Sequence, residues 1–316
     1  MTKDTHSLAP NSMQVSIERL NSPSLAVEII PELGARISSL RCPNGREWMW
    51  APGLRRLLYR CEPKAGFLQS CMVGADECLP TIAACSVQGR SYPGHGECWS
   101  APWSLDPREN EQSPVVTHLH LPLSNAVFRR AASLHGNTLL LEYEVTNGTD
   151  EPWDFTYAFH PLFPMEPGDH VSLPIRQGGE ILVENWSGKR APWPSPVPGA
   201  DLSCFQMGDI SPSTLKIFTA DPLTDHRAIV SNAITRERLT VDFDPSFFPA
   251  LGFYVNQNGW GAHRHFAIEP TNAQADSLEE CRRRGLHYST LPPRASVRWW
   301  IQITVEAGID EPGGGR

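Results

Sequence analysis

The sequence predicts an all-β fold in which antiparallel strands form one large sandwich. Segments with a strand pattern recur along the chain, turn residues that include 29 prolines separate them, and only one segment has a helical pattern. Many strands with almost no helix exclude a βαβ arrangement and favour the packing of sheet on sheet. The chain has 316 residues, of which 40% are hydrophobic, and all-β sandwiches form unusually long single domains.

The first two predicted strands form a hairpin pair. Residues 24–30 are a short apolar run that ends before a proline, and residues 35–40 alternate in polarity before a Pro-Asn-Gly turn. In the last predicted strand, the even-numbered residues from Arg298 to Thr304 share one face and the apolar residues share the other. The later strand patterns cover residues 115–121, 126–131, 138–145, 239–243, 250–255 and 296–305.

The helical pattern covers residues 275–284. It begins with capping-type residues, ends in three arginines and precedes Gly285, as a short helix should. The proline-rich residues 191–199 are interpreted as a surface loop and not as a linker, because strand pattern continues beyond them.

We therefore expect a single domain over residues 24–306, an N-terminal extension over residues 1–23 and a flexible tail over residues 307–316. The N-terminus has no apolar segment of signal-peptide length, so a cytoplasmic location is expected. No stretch approaches 18 uninterrupted apolar residues, so no membrane span is expected.

Composition excludes several classes of partner. The formal net charge is −8, and no basic block is present that would bind nucleic acid or an anionic membrane. The eight cysteines include no Cys-x-x-Cys pair, so reduced and mostly buried thiols are expected. These features favour a small neutral or weakly charged ligand.

Two short motifs each place a reactive side chain before a proline. Glu269 follows the apolar residues 266–268 and precedes Pro270, and His160 closes an aromatic segment before Pro161. We interpret both positions as strand ends that proline fixes. A buried carboxylate is costly unless it is paired or used. One carboxylate and one imidazole are the minimum set for moving a proton on and off a neutral substrate.

The order of these motifs resembles that of the aldose 1-epimerase (galactose mutarotase) superfamily over roughly residues 24–306. The resemblance implies a β-supersandwich fold and cofactor-free interconversion of the α and β anomers of an aldose. Residues 74–80 also resemble a segment of the glucose-6-phosphate 1-epimerase branch. The segments that carry the superfamily resemblance are residues 34–40, 95–96, 160–163, 268–270, 275–276 and 291–293.

The resemblance implies roles for three residues. Glu269 matches the family's base, His160 matches its acid, and His95 matches a histidine that contacts the sugar. Mutarotation needs a base for the proton of the anomeric hydroxyl and an acid for the ring oxygen as the C1–O5 bond opens. Rotation about C1–C2 and reclosure then give the other anomer, without a metal or a redox cofactor.

The segment after His95 departs from the phosphate-sugar branch. There His-Gly is usually followed by Phe-Ala-Arg, whereas Trp99 occupies the arginine position in this chain. An aromatic ring stacks on a sugar face but cannot hold a phosphate. We therefore expect an unphosphorylated sugar, with Arg36 or Arg264 as the alternative phosphate ligands.

Further candidate substrate-binding residues lie beside these motifs. Asp76 and Glu77 belong to a predicted acidic loop, and His265 lies four residues ahead of the predicted base. We expect all three to line the pocket. The family often has an acidic residue that binds sugar hydroxyls, for which Asp221 and Asp225 are candidates.

Structural roles compete with these assignments. His160 is also suited to capping a strand, and Glu269 to a buried salt bridge with Arg264 or Arg298. Two His-x-His pairs, at residues 118–120 and 263–265, have a spacing that binds metals. Such pairs on strands are usually solvated, so no metal site is expected. Trp99 and Trp260 are the better candidates for stacking on a sugar, although core packing is equally expected of each.

The leading hypothesis is a cytoplasmic, aldose 1-epimerase-like isomerase that acts on a hexose or a modified hexose. The alternatives are a non-catalytic carbohydrate-binding protein and a different carbohydrate isomerase or lyase on the same scaffold. The presence of both Glu269 and His160 favours the enzyme, whereas the altered residues 97–103 leave room for another reaction.

Overall fold

Two large antiparallel sheets face each other in the computed structural model, which confirms the predicted all-β sandwich. Residues 1–14 of the predicted extension, residues 309–316 of the predicted tail and Trp260 lie outside the described residues. The structure describes residues 15–43, 45–52, 66–67, 72–186, 188–199, 201–205, 213–259 and 263–308.

The strands are numbered along the chain. The first eleven are β1 (Glu18–Asn21), β2 (Ala26–Ile30), β3 (Arg36–Arg41), β4 (Ala75–Cys78), β5 (Cys85–Val87), β6 (Arg90–Tyr92), β7 (Ser104–Leu105), β8 (Val115–Leu121), β9 (Ala126–His135), β10 (Thr138–Asn147) and β11 (Trp153–Phe155). The others are β12 (Ala158–Pro164), β13 (Asp169–Ser172), β14 (Glu180–Val183), β15 (Lys189–Pro192), β16 (Thr214–Thr219), β17 (Arg227–Asn232), β18 (Glu237–Phe243), β19 (Ala250–Gln257), β20 (Arg264–Thr271), β21 (Ser289–Leu291) and β22 (Ser296–Ala307). The helix α1 spans Leu278–Arg284, and short 3-10 helices span Pro31–Leu33 and Glu184–Trp186.

The strand order places β12 and β20 in the middle of the larger sheet. That sheet has the order β1-β2-β3-β4-β12-β20-β19-β16-β14-β15, and the smaller sheet has the order β13-β17-β18-β22-β10-β9-β8-β7. Two small two-stranded sheets, β5-β6 and β11-β21, complete the described part of the fold. None of the described helices combines the length and the apolarity needed to cross a membrane.

Most predicted elements lie close to their expected positions. β2 and β3 pair as predicted, and the strand expected at residues 115–121 is β8. The helix begins later than predicted, where the Ser277 side chain accepts the backbone N–H of Glu280, and it ends at Gly285 as expected. β1 lies within the predicted N-terminal extension and pairs with β2, so the sheet begins before the expected domain boundary.

The prediction that Pro161 and Pro270 end their strands is wrong. Both prolines lie inside strands, in β12 and β20, which neighbour each other in the larger sheet. Because proline has no N–H to donate, two prolines in facing strands leave part of the ladder without hydrogen bonds. His160 and Glu269 lie at facing positions of this open stretch. The ladder pairs on either side of it are Ala158 with Thr271 and Leu162 with Ala267.

The prediction that Asp76 and Glu77 belong to an acidic loop is also wrong, because residues 75–78 form strand β4. Consecutive residues of a strand point to opposite faces of the sheet. Asp76, which pairs with His160, therefore faces the outer side, whereas Glu77, which pairs with Phe159, faces the core between the sheets.

Aromatic side chains fill much of this core. Trp299 of β22 stacks on Phe247 with ring centroids 4.1 Å apart, and on Tyr143 of β10 with centroids 5.4 Å apart. Trp299, Ile301 and Ile303 are buried, whereas the even-numbered residues between them are partly exposed. The predicted alternation of the last strand is confirmed, because one face of β22 covers the core.

The core also contains a charged network around Glu77, which is fully buried. Its carboxylate accepts hydrogen bonds from Arg130 Nη1 at 2.8 Å, Tyr143 Oη at 3.1 Å and Tyr157 Oη at 2.6 Å. Burial raises the pKa of Glu77, and Arg130 and the tyrosines offset only part of that rise. Because Arg130 lies on β9, the network joins the smaller sheet to the larger one.

Arg130→Met should lower the free energy of unfolding by about 3–5 kcal/mol, because it leaves an uncompensated carboxyl group in the core. Urea denaturation followed by tryptophan fluorescence measures this change. The matched control is Arg298→Met, since Arg298 is 77% exposed and pairs with Glu144 on the outer face. That substitution should cost less than about 1 kcal/mol. Equal losses in the two variants would contradict the network's role.

Candidate active site

A row of side chains crosses the outer face of the larger sheet. Asp76 of β4 pairs with His160 of β12, and Glu269 of β20 pairs with Gly252 of β19, which pairs with Phe218 of β16. Directly opposite residues of antiparallel strands point to the same face. Since His160 and Glu269 also face each other, the strand registers alone bring the five residues into one line.

Asp76 bridges two histidines. Its Oδ1 lies 3.1 Å from His160 Nδ1, and its Oδ2 lies 2.9 Å from His95 Nδ1. Burial opposes ionisation, but the two imidazoles hold the pKa of Asp76 well below its usual value. An ionised carboxylate only accepts hydrogen bonds, so each Nδ1 carries a hydrogen. This arrangement fixes both rings and leaves each Nε2 for other contacts.

Glu269 faces the other nitrogen of His160. Glu269 Oε1 lies 3.8 Å from His160 Nε2, which is longer than a hydrogen bond. Glu269 is fully buried, and its Oε1 has no hydrogen-bond partner among the described residues. An unsatisfied carboxylate oxygen beside an imidazole nitrogen can take a proton from a bound hydroxyl group.

Lys216 of β16 pairs with the second oxygen of Glu269. Its Nζ contacts Glu269 Oε2 and lies 3.8 Å from Asp276 Oδ1. The predicted alternative of a salt bridge to Arg298 is wrong, because Arg298 pairs with Glu144. The cation that compensates the buried Glu269 carboxylate is therefore a lysine, and it lies on β16, two strands away in the sheet.

These contacts determine the ionisation of the groups around Glu269. Burial favours the neutral acid, but Lys216 and His160 outweigh this effect and lower the pKa of Glu269. Burial disfavours the ammonium group, but Glu269 and Asp276 raise the pKa of Lys216. Burial also raises the pKa of Asp276 to about 6, because the positive charge of Lys216 offsets only part of the effect of burial.

A cavity of about 310 Å³ opens beside this cluster. Its size is at the lower end of the roughly 300–1,000 Å³ of small-molecule sites. Polar and charged groups meet an apolar wall there, which is the usual composition of such sites. The described residues that line it are Phe67, Met72, Ile82, Ala83, Gly94, His95, His160, Leu162, Lys216, Tyr254, His265 and Asp276.

Aromatic contacts fix the rings along the cavity. Phe67 stacks on His95 with ring centroids 3.7 Å apart, and His265 lies 4.3 Å from the ring of Trp50. Burial lowers the pKa of His265 to about 3, so this histidine is neutral at physiological pH. Trp99 is buried behind Phe67 and donates its Nε1–H to Gly94.

The backbone around His95 has a left-handed conformation. His95 has φ 60° and Gly96 has φ 69°. A Cβ atom on Gly96 would lie 1.9 Å from the carbonyl oxygen of Leu79, so only glycine allows this approach. The close approach holds His95 next to β4, where Asp76 orients it.

The structure divides the predicted site residues into three groups. His95, His160 and His265 line the cavity, whereas Asp76 and Glu269 contact lining histidines but are not themselves lining residues. Glu77, Trp99 and Arg36 are not part of the cavity surface.

Two of these residues have identifiable roles in packing. Glu77 joins the two sheets, and Arg36 is buried behind Asp76, with Nη1 donating to the carbonyl of Val73 at 3.0 Å. Asp221 pairs with Arg176 at 3.1 Å and does not line the cavity.

Sequence reasoning missed Lys216 and Asp276. Lys216 is a charged residue inside an otherwise apolar strand, the same signal that identified Glu269. Asp276 belongs to the short segment 275–276 that carries part of the family resemblance, but no role was assigned to it.

The donor atoms of Asp76, Cys78 and His95 lie within 4.8 Å of one another, as metal ligands can. The residues fit a metal poorly. Both Asp76 oxygens already accept hydrogen bonds from imidazoles, and burial raises the pKa of Cys78 well above its usual value. A raised pKa favours the thiol over the thiolate that binds metals.

Comparison with solved structures gives matches over most of the chain, and several of them are to proteins named as mutarotase-like or mutarotase-related. The Slr1438 protein of Synechocystis sp. PCC 6803 has a TM-score of 0.73 at 15% identity, over 96% of this chain and 100% of that one. A galactose mutarotase related enzyme from Lactobacillus acidophilus has a TM-score of 0.67 at 17% identity, over 94% of this chain and 99% of that one.

A galactose mutarotase-like protein from Clostridium acetobutylicum has a TM-score of 0.64 at 14% identity, over 93% of this chain and 98% of that one. This chain has the galactose mutarotase-like fold. The predicted β-supersandwich is thereby confirmed. No family model matches the chain, and no curated protein matches it. The likeness to the glucose-6-phosphate 1-epimerase branch stays a prediction, since none of these three proteins carries that name.

We expect His95 and His160 both to carry a hydrogen on Nδ1 at pH 7.5, because each ring faces the ionised Asp76. Long-range ¹⁵N–¹H correlation NMR of the imidazoles measures this directly. Asp76→Asn should remove the preference in both rings at once, whereas Asp276→Asn should leave it unchanged. An Nδ1 without hydrogen in either ring of the unmodified protein would refute the assignment.

Proposed function

We propose that this protein interconverts the α and β anomers of a hexose or a modified hexose by cofactor-free acid/base catalysis. The observation that carries the proposal is the facing pair of His160 and Glu269, 3.8 Å apart beside a cavity of about 310 Å³. The anomeric hydroxyl oxygen and the ring oxygen are both bonded to C1. One edge of a pyranose can therefore reach both groups at once.

In the proposed reaction, Glu269 Oε1 takes the proton of the anomeric hydroxyl. The electron pair of that O–H bond forms the C1 carbonyl, the C1–O5 bond breaks, and O5 takes a proton from His160 Nε2. After rotation about C1–C2, His160 takes the O5 proton back as O5 attacks C1. Glu269 returns its proton to the carbonyl oxygen, so both groups end as they began.

The charges around the pair support these roles. Glu269 has a lowered pKa and is ionised at neutral pH, as a base must be. Asp76 accepts from His160 Nδ1 and stabilises the protonated ring, which is the acid form. Both reacting groups are almost completely shielded from water, which strengthens their interaction with a bound substrate.

The cavity favours an unphosphorylated sugar. Among the described residues that line it, Lys216 carries the only fixed positive charge, and it is already engaged by Glu269 and Asp276. Arg36, a predicted alternative phosphate ligand, lies behind Asp76. The name of the Lactobacillus acidophilus protein, a galactose mutarotase related enzyme, agrees with a sugar substrate.

Glu269→Gln should slow anomer exchange by about 10²–10⁴-fold, because the amide keeps the shape of the side chain but is a very weak base. NMR saturation exchange between the anomers of several aldohexoses and their 6-phosphates measures the rate. If no sugar exchanges faster with the unmodified protein than with Glu269→Gln, the proposal fails.

His160→Gln should lower the exchange rate by a similar factor, since it removes the proton donor to the ring oxygen. Its effect should not add to that of Glu269→Gln, because the two groups act in one concerted step.

Calorimetry on the same sugars separates the rival functions. Binding without exchange would indicate a carbohydrate-binding protein, and a new compound in the product mixture would indicate another isomerase or a lyase.

A further inference from the structure

Lys216 lies on the largely buried β16 and contacts two of the carboxylates near the cavity. Its Nζ contacts Glu269 Oε2 and lies 3.8 Å from Asp276 Oδ1. We propose that Lys216 is a positioning residue that holds Oε2 of Glu269 and thereby presents Oε1 to the substrate. This inference rests on the proposed role of Glu269 as the base.

The lysine reaches its partner across an intervening strand. Glu269 lies on β20 and Lys216 on β16, and β19 runs between them. The residue of β19 beneath the contact is Gly252, which pairs in register with Glu269 and with Phe218. A Cβ atom there would lie 3.3 Å from Glu269 Oε2 and 3.2 Å from the Phe218 ring, so glycine leaves room for the ion pair.

Several contacts hold the ammonium group in place. It lies 5.1 Å from the centroid of the Phe218 ring, which is within the range of a cation–π interaction. The backbone N–H of Lys216 donates to Asn185 Oδ1 at 2.7 Å, which fixes the strand at this residue. The side chain is 10% exposed, so solvent competes little for the charge.

Lys216 also governs the ionisation of the base. The other groups that face Glu269 are Asp276 before α1, Cys78 and Asp76 of β4, and the imidazoles of His95 and His160. Of Lys216 and these described groups around Glu269, only Lys216 carries a fixed positive charge. Without Lys216, burial and the nearby carboxylates raise the pKa of Glu269. As the pH falls, the Glu269 carboxylate is then protonated, and stops acting as a base, at a higher pH than in the unmodified protein.

The experiment compares Lys216→Met and Lys216→Arg in the full chain. The first readout is a ¹³C NMR titration of the Glu269 side-chain carboxyl, assigned with Glu269→Gln. We expect a higher titration midpoint in Lys216→Met and a midpoint near that of the unmodified protein in Lys216→Arg. Lys189→Met, on the exposed face of β15, is the control and should change nothing.

The second readout is the pH profile of anomer exchange. Lys216→Met should lower kcat at least tenfold, leave KM within threefold and move the acid limb to higher pH. An unshifted Glu269 midpoint together with an unshifted acid limb would overturn the inference, even if Tm falls. If Lys216→Met does not fold, Lys216→Gln provides the same comparison.

The two proposals fail separately. If the unmodified protein exchanges no sugar, the proposed function fails, and the carboxyl titration still decides whether Lys216 controls Glu269. If the protein exchanges anomers but both readouts are unchanged in the lysine variants, only the role of Lys216 is refuted.

Discussion

The open stretch of the ladder between β12 and β20 determines the geometry of the candidate site. Pro161 and Pro270 cannot donate hydrogen bonds, so two central strands run side by side without a continuous ladder at this point. His160 and Glu269 face each other inside the opening. The outer neighbours, β4 and β19, remain paired in register at these positions and hold the two strands in place.

Charge compensation follows the same line across the sheet. Asp76 pairs with the imidazole of His160 on one side, and Lys216 pairs with the carboxylate of Glu269 on the other. Each described charge of this cluster therefore has a partner of opposite sign or a hydrogen-bond donor, which makes the burial of so many polar groups tolerable. Two carboxylate oxygens of this cluster, Glu269 Oε1 and Asp276 Oδ1, have no hydrogen-bond partner among the described residues, and the proposed function assigns the proton transfer to the first of them.

The sequence was most informative where a reactive residue interrupts an apolar run. Alternation of polarity predicted the all-β fold, and a reactive residue in an apolar run singled out His160 and Glu269. Both patterns are local properties of the sequence. From the sequence, Glu77 is placed at the pocket, because residues 75–78 are interpreted as a loop. They form a strand, in which neighbouring residues point to opposite faces, so Glu77 faces the core. Lys216 was missed because its role depends on a partner 53 residues away in sequence, across the intervening β19.

Strand β4 has a consequence for how this protein tolerates change. Its two acidic residues point to opposite faces of the sheet. Glu77 belongs to the charged network between the two sheets, and Asp76 lies beside the cavity. A single-residue insertion or deletion upstream that slid β4 along its neighbour would exchange these two environments. Foldability and ligand chemistry are therefore tied to the same alignment, so divergence in this strand should proceed by replacement of side chains and not by changes of length.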